Sequence, residues 1–200
     1  MPTITFNGAP HPINTIYCIG RSYVEHIHEL GNAMPDEPLV FLKPNSSIVM
    51  GDTLTLPKFS DNIHHETELV LLMGEGRQIA GVAVGLDLTA RDVQSVCKEK
   101  GLPWLKAKGF KNACWLGEFK PFKNKTYELF LQVNDEIRQH DTTDKMMYAF
   151  DELVAYLDEL YGLTAGDVIM TGTPKGVDRL VAGDRLVVRL DDDVYHIAVQ

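Results

Sequence analysis

Three acidic residues stand at positions where carboxylates are costly. Glu66 and Glu68 lie two apart in His64-His65-Glu66-Thr67-Glu68-Leu69, ahead of the apolar run that ends at Met73. Residues two apart in a strand share a face. Two anions projecting together repel unless a proton or cation sits between them. The alternative is a solvated polar face. Asp87, in Gly85-Leu86-Asp87-Leu88, ends an apolar run, where an unpaired acid is expensive to bury. It either caps the helix that follows or supplies a third ligand. Three carboxylates suit a hard divalent ion such as Mg²⁺ or Mn²⁺. His64 and His65 hint at zinc instead, but the acids favour oxygen ligation.

A second group has the makings of proton chemistry. His26 and Glu29 are three apart on a short predicted helix and so share a face. A carboxylate that orients an imidazole makes a general base near neutral pH; a surface pair is the plain alternative. His28 falls on another face. Lys108, Arg91, Gln94 and Thr173 form a cationic and polar set. Lys106 and Lys108 read as surface lysines or, given Trp104, Leu105 and Phe110 nearby, as partly buried ones. Thr171-Gly172-Thr173-Pro174-Lys175-Gly176 is turn-rich but lacks phosphate-loop spacing, so nucleotide binding is not expected.

The elements that must position these residues are short and closely punctuated. Strands are predicted over 15–20, 39–42, 47–50, 53–57, 65–73, 80–88, 127–133, 168–170, 185–190 and 194–199. Helices are predicted over 23–30, ended by Gly31, and from Thr89 or Arg91 to Lys100, stopped by Gly101 and Pro103. A third helix runs to Gly162 with Phe150, Leu153, Val154, Leu157, Leu160 and Tyr161 on its apolar face. Asn134-Asp135 supplies a hairpin turn. The sum is a mixed α+β, β-rich fold with few helices.

Bulk properties bound the function. The chain has 200 residues, 44% hydrophobic and 24% charged, the composition of one ordinary globular domain. Lys plus Arg is 19 against 28 Asp plus Glu, a net charge of −9, which disfavours nucleic acid as a partner. The three cysteines, Cys18, Cys97 and Cys114, are odd in number and widely spaced, which fits a reducing compartment. No apolar run approaches the ~20 residues of a membrane span, and the N-terminus lacks signal-peptide character. The expectation is a soluble cytoplasmic protein that engages neither membranes nor nucleic acid.

Together the segments resemble the fumarylacetoacetate hydrolase family. The resemblance is carried by Ile19-Gly20-Arg21-Ser22-Tyr23 with His26 and Glu29, by Phe41-Leu42-Lys43-Pro44, and by His65-Glu66-Thr67-Glu68-Leu69. It continues through Leu86 to Gln94 and Gly101-Leu102-Pro103-Trp104 with Lys108, and ends with Thr171 to Val177. Six segments in family order, from about Tyr17 to Val177, are a strong signal. The resemblance implies a distorted β-roll and one catalytic domain over 1–200. Within it, residues 1 to about 50 include a lid-like helix, and 51–200 form the metal-binding core. It implies Mg²⁺, with Mn²⁺ or Ca²⁺ as alternatives, on Glu66, Glu68 and Asp87. It assigns His26 and Glu29 to a dyad, Lys108 and Gln94 to the bound keto acid or its enolate, and Thr173 with Arg21 or Arg91 to substrate binding. It also implies a homodimer. The expected reaction is hydrolysis of the C–C bond of small 2,4-dioxo acids (acylpyruvates). Oxaloacetate decarboxylation and keto–enol tautomerisation share the enolate and stand as alternatives, and a keto-acid-binding dimer is the non-enzymatic one.

Overall fold

The computed structural model describes residues 3–200. Its framework is a curled sheet in the spatial order 39–43, 16–20, 168–170, 67–73, 79–87, 114–116 and 48–49, with 120–121 added beside 79–87. A second sheet runs in the order 136–142, 128–133, 185–190, 193–199 and 53–54. Among the described residues four α-helices accompany them: α1 (Val24–Glu29), α2 (Arg91–Lys100), α3 (Leu105–Lys108) and α4 (Phe150–Tyr161). The mixed, strand-rich architecture expected from the sequence is therefore found.

Strand Thr67–Met73 explains the layering. All seven of its residues are buried. Leu69 and Leu71 face the core shared with the second sheet, among Leu129, Leu131, Leu186 and Val188. Val70 and Leu72 face the opposite side, among Ile16, Cys18, Val168 and Met170. Burial on both faces is why the segment reads as a continuous apolar run and not an alternating one. Truncating any of these leucines to alanine is expected to cost ~2–5 kcal/mol. The outer face is closed by a hairpin of Thr3–Phe6 and Ala9–Pro12, which contributes Ile4 and Phe6. Its turn, Asn7-Gly8, has positive φ at both residues, the signature of a tight hairpin. The sequence reading passed over this element.

Several boundaries move. The predicted helix 23–30 shortens to α1, and the predicted strand 47–50 begins as a 3₁₀ turn over Asn45–Ser47 before Ile48–Val49. Of 53–57 only Thr53–Leu54 pairs in the sheet. α4 ends at Gly162 in the left-handed conformation as expected, and Asn134-Asp135 turns with positive φ at both residues. Leu160 and Tyr161, however, are 54% and 51% exposed. They continue the helical spacing beyond the end of the core, so only Leu153, Val154 and Leu157 are fully buried.

Candidate active site

Glu66, Glu68 and Asp87 converge. One oxygen from each lies within 4.8 Å of the other two, and all three residues are buried. Glu66 precedes the strand, which begins at Thr67. Its backbone carbonyl accepts from the Asp87 N–H at 2.8 Å, which brings the two acids together across adjacent strands. Asp87 ends its strand and caps nothing: α2 begins after Ala90 without a side-chain cap. His64 contacts Asn62, and His65 contacts Gln139. Neither histidine joins the acidic cluster, so the zinc hint is dropped.

Cations surround the cluster unevenly. Lys108, 3% exposed, places Nζ 2.7 Å from Glu66 Oε2 and 2.6 Å from Asp87 Oδ2. It also lies 4.9 Å from the Phe41 ring centre. Arg91 pairs with the other oxygen of Glu66 and donates to Gln94 Oε1 at 2.7 Å. Lys43 sits below, with Nζ 2.7 Å from Asp87 Oδ1. Its Nζ also donates to the carbonyls of Leu88 and Lys108. Among the described residues Glu68 has no ion-pair partner; its Oε2 accepts from the Gly172 N–H at 2.9 Å.

The electrostatics follow. Burial alone would raise the Glu66 carboxyl, but Lys108 and Arg91 hold it well below the usual carboxylate range. Burial, then Asp87 and Glu66, pushes Glu68 well above that range. Lys108 is held above the ordinary lysine value, because Asp87 and Glu66 outweigh its burial. Neighbouring acids driven apart in this way mark a site where charge is managed. The donors are all oxygen, and Glu68 is a buried carboxylate with no cation. This set fits a hard divalent ion.

The dyad assembles on a different support. His26 is only 6% exposed, whereas Glu29 is exposed, so the pair stands at the surface with the imidazole buried. Its Nδ1 lies 3.0 Å from Glu29 Oε2. The other Glu29 oxygen accepts from the Gly176 N–H at 2.9 Å. With Nδ1–H donating to Glu29, Nε2 is the basic nitrogen. His26, Arg21, Gln94, Arg91, Thr173, Lys108 and the three acids all line one pocket. Lys106, by contrast, is exposed.

Sequence reasoning missed Lys43, whose burial behind Asp87 has no local signal, and Gln139. Gln139 is 1% exposed on an otherwise polar strand. Its Oε1 accepts from Thr67 N at 3.0 Å and faces His65 Nδ1 at 3.2 Å. Its Nε2 donates to Thr173 Oγ1 at 2.7 Å and to the Pro174 carbonyl at 2.8 Å. Thr173 in turn donates to the Thr67 carbonyl at 2.9 Å. One side chain thus ties the Glu66–Glu68 segment to the turn that carries Thr173. Gly176, at φ 97°, packs on this strand so closely that a Cβ would stand 1.9 Å from the Arg138 carbonyl. Only glycine fits there.

Residues 15–195 match the family model of the fumarylacetoacetate (FAA) hydrolase C-terminal domain. The chain belongs to the fumarylacetoacetate hydrolase family. The Escherichia coli relative YcgM, an oxaloacetate tautomerase, is 41% identical over 197 residues, with 90% of each chain covered. The bovine mitochondrial oxaloacetate tautomerase FAHD1 is 39% identical, over 86% of this chain and 84% of that one. A crystal structure of Pseudomonas aeruginosa fumarylpyruvate hydrolase with Mn²⁺ and pyruvate superposes with a TM-score of 0.94. It is 31% identical and covers 99% and 95% of the two chains. The family resemblance is thereby confirmed. The relatives span tautomerisation and hydrolysis, so family membership alone does not choose between them. Among the described residues no helix is long and apolar enough to cross a membrane.

Proposed function

We propose that this protein is a metal-dependent oxaloacetate tautomerase, interconverting the keto and enol forms of this four-carbon 2-oxo acid. The carrying observation is the buried Glu66–Glu68–Asp87 cluster, opening with Lys108 and His26 into one pocket. The identity to two oxaloacetate tautomerases across most of the chain supports tautomerisation over the hydrolysis first expected. Glu66, Glu68 and Asp87 would hold a divalent ion, which supplies Lewis-acid polarisation of a 2-oxo acid when bound.

The chain's own residues account for the rest. In the keto-to-enol direction the C3–H bond breaks, the 2-oxo oxygen gains a proton and the double bond moves from C2–O to C2–C3; no carbon–carbon bond breaks. His26 Nε2, oriented through Glu29, takes the C3 proton and passes it on to the enolate oxygen, and the two transfers run in reverse from enol to keto. Lys108, with Nζ beside Glu66 and Asp87, stabilises negative charge developing on the enolate, a contribution of ~10²–10³ in rate. Gln94, Arg91 and Thr173 orient the acid.

The test follows the decay of enol-oxaloacetate absorbance in the Mg²⁺- or Mn²⁺-loaded protein and in the EDTA-treated protein. A metal-dependent rate well above buffer supports the proposal. A rate equal to buffer, with acetylpyruvate cleaved, gives the site to hydrolysis instead. The dyad is the observation that favours this second reading, since an oriented histidine also activates water. Pyruvate released from oxaloacetate would indicate decarboxylation. Binding without any turnover would indicate a keto-acid-binding protein.

A further inference from the structure

The mouth of the pocket carries charge that the tautomerase chemistry does not use. Along α2, Arg91, Gln94 and Lys98 follow at three- and four-residue steps, and all three line the pocket. Arg91 and Gln94 face inward to Glu66 and to each other. Lys98 lies further out. Its Nζ sits 5.5 Å from the Trp104 ring centre, and Trp104 also lines the pocket.

Lys98 and Arg21 meet at one oxygen. Lys98 Nζ donates to Asn32 Oδ1 at 3.3 Å, and Arg21 Nη2 donates to the same oxygen at 3.4 Å. Two cations that share one amide oxygen stand within about 7 Å of each other. Among the described residues neither Lys98 nor Arg21 forms an ion pair. Arg21 holds φ at 58°, an uncommon conformation for a residue with a side chain. Burial first, then Arg91 and Arg21, lowers the Lys98 ammonium below its ordinary value, with Glu66 opposing in part.

The charge balance points the same way. Four cations (Arg21, Arg91, Lys98 and Lys108) line the pocket against three carboxylates. A divalent ion on the acids would raise the excess further. A monoanionic 2-oxo acid directs its single carboxylate toward the metal end and leaves the mouth uncompensated. A substrate with a second carboxylate meets it.

We propose that Lys98, together with Arg21, binds the second carboxylate of a dicarboxylic 2-oxo acid at the pocket mouth and sets the preference for dianionic over monoanionic substrates. This rests on the oxaloacetate reading and adds to it the residue that makes the choice. A charge-assisted bond of this kind is worth roughly ten- to hundred-fold in affinity; for a lysine as exposed as Lys98 the lower end, ~10-fold, is expected.

The experiment measures binding by calorimetry to the Mn²⁺-loaded protein with a matched pair of non-enolisable probes. One is 3,3-difluoro-oxaloacetate. The other is 3,3-difluoro-2-oxobutyrate, in which a methyl group replaces the second carboxylate. The wild type is expected to prefer the dicarboxylate. In Lys98→Met the ratio of the two affinities should fall ~10-fold, and Lys98→Arg should retain most of it. Circular dichroism and metal content confirm that each variant is folded and loaded. A wild type without preference, or a Lys98→Met protein that keeps the full ratio, overturns the proposal. The same probes separate it from the tautomerase reading. A protein that fails to interconvert oxaloacetate yet shows the lysine-dependent ratio loses the reaction and keeps the dicarboxylate site.

Discussion

Replacing Glu68 by glutamine should make the metal-free protein more stable and the metal-supplied protein less so. Glu68 is 2% exposed, with Glu66 and Asp87 oxygens within 4.8 Å and no cation of its own. At that separation a like-charged pair costs ~3.5 kcal/mol at an effective dielectric of about 20. Two such pairs act on an ionised Glu68, and Lys108 and the Gly172 N–H return part of the cost. The net penalty is ~2 kcal/mol. Glutamine removes the charge and keeps an oxygen to accept from Gly172. In a chain of this size ~2 kcal/mol corresponds to about 4–8 °C in Tm. The sign with pH is fixed by the raised carboxyl of Glu68. A proton there is held more tightly in the folded chain than in the unfolded one. The stability it gives is complete below the ordinary carboxylate range and is lost as pH rises through the raised folded value. The Glu68→Gln gain should therefore grow with pH. The assay is thermal unfolding of both proteins in EDTA from pH 5 to 9, repeated with Mg²⁺ or Mn²⁺. Wild type should rise in Tm with metal and the variant should not. A variant less stable than wild type in EDTA at pH 8, or one that keeps the full metal-induced rise, would refute the charge argument.

Other expectations follow from the same geometry. His26→Ala should lower enol–keto conversion of oxaloacetate and any acylpyruvate hydrolysis by ~10²–10⁴. It should depress oxaloacetate decarboxylation less, because Glu66, Glu68, Asp87 and Lys108 remain; equal losses in all three would make His26 a positioning group. Gln139→Leu should cost ~1–3 kcal/mol by chemical denaturation, since it leaves the Thr67 N–H and Thr173 hydroxyl short of a partner. It should also lower kcat, with Gln139→Glu recovering part of the loss; unchanged kcat would deny Gln139 its bracing role. A homodimer is expected from exposed Leu42, Leu102 and Leu105, which are 49%, 50% and 60% exposed, the first on an edge strand of the large sheet. Sedimentation showing only the 22.4 kDa monomer at micromolar concentration would count against it.

What the sequence revealed depends on how far each residue reaches. Glu66, Glu68 and Asp87 were legible because acids beside apolar runs demand a partner wherever the chain goes. His26 and Glu29 were legible because a helix places them together within one turn. Lys43 and Gln139 were not. Lys43 follows an apolar strand and precedes a proline, so it reads as the start of a loop, and only the fold puts Asp87 above it. Gln139 lies in Glu-Ile-Arg-Gln-His-Asp-Thr, where one inward-facing amide is indistinguishable from solvated neighbours. Lys98 looks like one of several lysines closing a helix. The hairpin at 3–12 carried its signal in Asn7-Gly8, but its strands are too short and too rich in proline to stand out by periodicity. Leu160 and Tyr161 kept the helical spacing while the core ended beneath them, a limit that periodicity does not encode.

The place of strand 16–20 in the sheet has a consequence for synthesis. It lies between 39–43 and 168–170, and its pairing with 168–170 is parallel. The first of these partners emerges from the ribosome almost at once, whereas the second waits for some 150 further residues. At about 5–20 residues per second that wait lasts on the order of ten seconds. Strand 67–73 waits for the same partner on its other edge. Until residues 168–170 arrive, two strands that are largely apolar expose their backbone donors and acceptors toward the missing one, and closing so long a loop is slow. The nascent chain is thus most prone to aggregate after its hydrophobic strands are made and before its last third is, which is the interval in which a chaperone would matter to its yield.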